Sequence, residues 1–88
     1  MRSVEKLEKL IAVAEKMGYR LRYESLATTG GGVCEYGGNR WLFMDLSMSV
    51  EDRLGLVTEA LNSDPSLPVN ELEEGLRLHF GFSKRQAA

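Results

Sequence analysis

The sequence predicts an α+β domain with the element order α-β-β-β-α-α, a small antiparallel sheet carrying its helices on one face. Three observations carry this reading. Apolar residues recur three or four apart near both ends of the chain but alternate through its middle. A Gly-Gly pair separates two strand-like runs, as in a tight hairpin. Capping and stop residues fall where the helical periods begin and end. Helices gathered at the ends and strands in the middle make a two-layer domain, spanning residues 1–82 with a frayed tail at 83–88.

In chain order, Val4, Leu7, Leu10, Ile11, Ala14 and Met17 line one side of a first helix, with Ser3 as cap and Gly18 as left-handed stop. The period then drops to two: Tyr19, Leu21 and Tyr23 alternate with Arg20, Arg22 and Glu24, a strand with one buried and one wet face. "VCEY" and "RWLFMDL" flank "GGN" and read as a hairpin. Trp41, Leu42, Phe43 and Met44 are apolar on both sides of the pleat, so the last strand is expected to be central. Ser49 and Asp52 cap a second helix, whose apolar positions Val50, Leu54, Val57 and Leu61 lie three or four apart. After "NSDPSLP", a third helix is predicted from Val69 to Phe80, with an Asn70-x-x-Glu73 cap and Gly81 as stop.

Eleven basic against thirteen acidic residues, interspersed, give a net charge of −2 and no broad field for phosphate backbones, so no nucleic-acid partner is expected. The longest unbroken apolar run is the five residues Leu10 to Ala14, with Trp41 to Met44 next, both far short of a membrane span, and the charged N-terminus does not resemble a secretory signal. One cysteine permits no internal disulfide, and no Cys/His cluster offers a metal set. The expectation is a cytoplasmic protein without metal or cofactor.

Residues 28–36, "TTGGGVCEY", hold the chain's most suggestive chemistry. Gly30, Gly31 and Gly32 could cradle an anion with bare amides, but a phosphate loop opens a helix, and here a strand follows. A bend or bulge is the simpler role. Cys34 is a nucleophile only if a base or cation lowers its pKa, the candidates being His79, the sole histidine, or Arg40. The simpler expectation is that Cys34 packs as a small hydrophobe and that His79 serves the end of its helix. Asp45 ends an apolar strand and is expected to cap the turn into "LSMS".

"WLFMDLSMSVEDRLGLVTEALN" resembles the strand, connection and helix of ImmA/IrrE-type zinc metallopeptidases, whose helix resembles R-F-T-L-A-H-E-L-G-H. Laid on that pattern, Glu59 matches the water-activating glutamate, while Thr58 and Asn62 stand where two histidines would hold zinc. The resemblance implies a remnant fold without its metal. A longer stretch, "RYESL" through "LVTEAL", resembles small uncharacterised bacterial proteins with a Gly-Gly-x-Cys element before a hairpin.

The function these residues favour is binding rather than catalysis: a small accessory protein, a possible homodimer or the ligand of another protein. Tyr19, Arg20, Arg22, Tyr23, Tyr36 and Trp41 are the expected contacts, because aromatic residues and arginine anchor interfaces. A thiol enzyme or sensor built on Cys34, with His79, is the alternative.

Overall fold

The computed structural model describes residues 1–25 and 31–87, the last six of these as backbone only. Its elements are α1 (Ser3–Lys16), β1 (Tyr19–Glu24), β2 (Gly31–Tyr36), β3 (Asn39–Asp45), α2 (Val50–Asn62), a 3₁₀ turn (Val69–Glu71) and α3 (Glu74–Ala87). The fold is α+β, with helices packed on a three-stranded sheet.

The period of 3.6 in α1 buries Leu7, Leu10 and Ala14, while Val4, at the frayed end of the same stripe, stays exposed. Arg2 rather than Ser3 occupies the N-cap, in extended conformation and with no side-chain cap, so the expected serine cap is not formed. Gly18, at φ +98°, ends the helix and turns the chain directly into β1.

The sheet order is β1-β3-β2, which puts β3 in the centre as its two-sided apolar pattern implies. The expected all-antiparallel sheet is corrected: β1 runs parallel to β3, and only β2 is antiparallel to it. Alternation specifies which side chains point inward but not the direction of a neighbouring strand, and β1 and β2, consecutive in sequence, occupy opposite edges. Gly37 and Gly38, both with positive φ, form the two-residue hairpin turn between paired Tyr36 and Asn39.

Along β3 the pleat divides the apolar run. Leu42 and Met44 are fully buried with Leu10, Ala14, Val57, Leu61 and Phe80, whereas Trp41 and Phe43, on the other side, are only partly covered. α2 begins as its sequence implies, with Ser49 Oγ accepting the Asp52 amide at 3.1 Å and two acidic residues in the first turn.

The third helix differs from its predicted bounds. Residues 69–71 form a 3₁₀ turn, Leu72 is extended at ψ 148°, and α3 starts only at Glu74. The break follows from Leu72, which leaves the helical path and buries its side chain; Asn70 lies in the turn and caps nothing, and the Glu73 carbonyl accepts from Leu76 and Arg77 instead. Leu72, Leu76 and Phe80 still reach the core, but Gly81 is helical and does not stop α3.

Gly31 opens β2 at φ +113°, and a Cβ there would collide with the Phe43 carbonyl oxygen on β3. Gly31→Ala is therefore expected to cost about 2 kcal/mol or more, read as a lower urea midpoint at unchanged m-value. An unchanged midpoint would contradict this close approach.

Candidate functional site

Pairing and burial together define a sheet surface that no helix covers among the described residues. Residues in register point to the same side, so Arg20, Trp41 and Cys34 form one row and Arg22, Phe43 and Gly32 the next. Tyr36 extends this surface at the hairpin end, 78% exposed. The indole of Trp41 stacks on Phe43 with centroids 6.1 Å apart, and the Arg20 guanidinium lies 5.8 Å from the indole centroid. Arg22 Nε donates to Glu24 Oε1 at 2.7 Å. Asp45 closes the far end, buried, with Oδ1 accepting the Ser47 amide at 3.0 Å, the turn-capping role its position implies.

Of the six expected contact residues, Arg20, Arg22, Tyr36 and Trp41 share this surface. Tyr19 and Tyr23 do not, because their odd positions in β1 point to the opposite side, where the helices pack. Tyr23 is half-exposed with Arg53 5.8 Å from its ring centroid. Tyr19 is only 6% exposed and is corrected from contact to structural residue. Phe43, which was not among the expected contacts, belongs to the surface; its spacing of two from Trp41 is the signal that identifies it.

Tyr19 belongs to a polar lock on the helix side. Its hydroxyl donates to Asp64 Oδ2 at 2.7 Å, and Arg40 pairs with the same oxygen while its guanidinium lies 4.2 Å from the tyrosine centroid. Arg40 Nη2 also donates to the Met17 carbonyl at 2.6 Å. On its other oxygen, Asp64 accepts the Ser66 hydroxyl at 2.7 Å and the Ser66 amide at 2.9 Å. These donors, Ser66 and Tyr19 foremost with Arg40 adding charge, hold the Asp64 carboxyl well below the usual carboxylate range. Burial, reinforced by the bond to Asp64, raises the Tyr19 phenol.

Beside this lock a cavity of about 650 Å³ lies between β2 and α2, with Val33, Leu56 and Ala60 among its apolar lining and Glu35 and Glu59 among its acidic lining. A second hollow, about 420 Å³, is lined by Thr58, Glu59, Asn62 and His79. Here Thr58 Oγ1 and His79 Nε2 are 2.8 Å apart, and burial, followed by the charge of Lys6, lowers the His79 pKa. The remnant-motif residues thus share one hollow with the histidine. Among the described residues, no group of three or more His, Cys, Asp or Glu stands close enough to hold a metal ion.

Cys34 is exposed, which corrects the expectation that it packs. Its Sγ lies 3.7 Å from the Glu35 carbonyl oxygen, and it points away from the helix layer in which His79 meets Thr58. The two residues of the thiol hypothesis are not brought together. Gly31 and Gly32 lie within β2 and open no helix, while Gly30 lies outside the described residues. No helix among the described residues is long and apolar enough to cross a membrane.

The chain matches no protein-family model, and neither a curated protein nor a solved structure shows significant similarity to it.

Two outcomes check this geometry. Asp64→Asn removes the carboxylate from four donors and is expected to cost about 2 kcal/mol at pH 7. A carboxyl held low stabilises the fold above its unfolded value and loses that stabilisation as pH falls toward the folded one, so the variant's deficit should shrink below about pH 4 in thermal melts. A pH-independent deficit would contradict the charged lock. Cys34 in the folded protein should react with a thiol reagent at the rate of the urea-unfolded chain, to within about tenfold. Protection of 100-fold or more would mean a buried thiol.

Proposed function

We propose that this protein works by association, binding another polypeptide through the helix-free face of its sheet. The observation that carries the reading is the Arg20–Trp41–Phe43 stack, held on a rigid central strand and left partly open to solvent. Tryptophan, tyrosine and arginine are enriched among the few residues that dominate binding energy at interfaces. Here they come preorganised: Trp41 is flanked by two neighbours, and its strand is pinned on the other side by Leu42 and Met44 in the core. A reducing, cytoplasmic setting suits the reading, because a lone exposed thiol persists there without forming mixed disulfides. The alternative, chemistry at Cys34, keeps the exposure of the sulfur in its favour but has no histidine at hand.

The lone cysteine makes the test direct. A benzophenone coupled to Cys34 of the intact protein, irradiated in extract of the source cells, is expected to cross-link a distinct polypeptide. That product should be lost in Trp41→Ser with helical content unchanged, and absent when the label sits on α1 (Glu8→Cys with Cys34→Ser). Equal cross-linking from both labelled positions, or a product indifferent to Trp41→Ser, would overturn the reading.

A further inference from the structure

We infer that the groove between β2 and α2 takes an extended basic segment of a partner polypeptide as a fourth strand, a second docking site on the side of the sheet opposite Trp41. β2 is an edge strand, paired with β3 on one side only. The two-residue turn makes Tyr36 and Asn39 a hydrogen-bonded pair, so Cys34 and Gly32 likewise direct their amides and carbonyls toward β3. The alternate residues Val33 and Glu35 direct theirs outward, where the Glu35 carbonyl meets the Cys34 sulfur at 3.7 Å and no strand receives them among the described residues. Neither proline nor lysine nor a bulge blunts this edge.

The side chains of the same two residues line the groove. Val33 has the parity of the buried Leu42 beside it, yet it is 49% exposed, because a cavity of about 650 Å³ opens between it and Leu56 and Ala60 of α2. A strand added at this edge lays every second side chain over that apolar floor while its backbone pairs with Val33 and Glu35.

Charge selects the occupant. Three carboxylates, Glu35, Glu59 and Asp64, line the groove against one cation, Arg40. Arg40 is the register neighbour of Glu35, but its guanidinium is engaged by Asp64 and the Met17 carbonyl. Glu35 and Glu59 are exposed and form no ion pair among the described residues. A free strand edge, an apolar floor and two uncompensated carboxylates fit a segment that alternates lysine or arginine with a small aliphatic residue at every second position. Antiparallel addition places the basic residue, opposite Glu35, two positions before the aliphatic one opposite Val33. A second copy of this chain is disfavoured, because its β2 would bring another Glu35 into the same groove.

Amide exchange in the intact protein tests it, with an acetylated heptapeptide amide in which threonine alternates with lysine, valine and lysine, added up to about 1 mM. In the free protein the amides of Cys34 and Tyr36 are expected to exchange about tenfold or more slower than those of Val33 and Glu35. The peptide is expected to slow the latter pair about fivefold at the highest concentration. Glu59→Lys should weaken binding about tenfold and Glu35→Gln about threefold, whereas Glu8→Lys on α1, the same change of net charge as Glu59→Lys, should leave it within about twofold. Replacing the lysines of the peptide by glutamate, or methylating its valine nitrogen, should abolish the slowing. All three substituted residues are exposed, and circular dichroism checks that the variants keep the fold. No slowing of Val33 and Glu35, or equal losses from Glu8→Lys and Glu59→Lys, would overturn the inference. Undiminished binding of the methylated peptide would also overturn it, since side chains would then be caught in the groove without a strand. The reading of the Trp41 face rests on its own cross-link and is untouched by either result.

Discussion

The pleat of β3 is the constraint on which the rest of this structure depends. Side chains in a strand alternate sides residue by residue, so whatever anchors Leu42 and Met44 beneath the helices presents Trp41 and Phe43 on the opposite face. α1 and α2 pack on one another and on the inner side of the sheet, with Leu10, Ala14, Val57 and Leu61 fully buried there. The order β1-β3-β2 places the strand with the richest apolar run where both its edges are hydrogen-bonded. The outer surface of that strand is thereby both rigid and aromatic.

A second constraint fixes the inner corner. Arg40, the second residue of β3, reaches the last turn of α1 through the Met17 carbonyl and the segment after α2 through Asp64, while stacking on Tyr19 of β1. One side chain thus ties β3 to two regions far from it in sequence, the α1–β1 junction and the segment after α2. Arg40 suits this better than lysine would, because a planar fork serves a carboxylate and a carbonyl at once and still presents a face to an aromatic ring. The arrangement holds β1 beside β3 in parallel without a hairpin to join them. It also removes Tyr19 from the surface, leaving the face contacts to residues of the opposite parity.

Elements governed by local periodicity were legible in the sequence. α1 shows its stripe, α2 its Ser49 cap, and the hairpin its glycine pair, and each forms close to its expected place. Features that depend on long-range choices were not. Nothing in "YRLRYE" states that it pairs with β3 in parallel, nor that Asp64, in a breaker segment, receives Tyr19 and Arg40. The third helix was misread because Leu72 fits both a helical stripe and an extended residue that buries itself, and packing chose the latter. Cys34 illustrates the same limit: "GVCEY" permits either face, and only the register with Trp41 sends the thiol outward. On the candidate surface, Arg20, Arg22, Tyr36 and Trp41 were readable from residue type and alternation, and the spacing of two from Trp41 offered Phe43 to the same reading.

The claim at the centre is that the Trp41 face lies open, with the helices on the other side of the sheet. Nuclear Overhauser contacts from the Trp41 indole in a dilute sample test it most directly. Cross-peaks to Arg20, Phe43 and Cys34, with none to the methyl groups of Leu10, Val57 or Leu61, are expected. Strong cross-peaks from the indole to those core methyl groups would contradict the account.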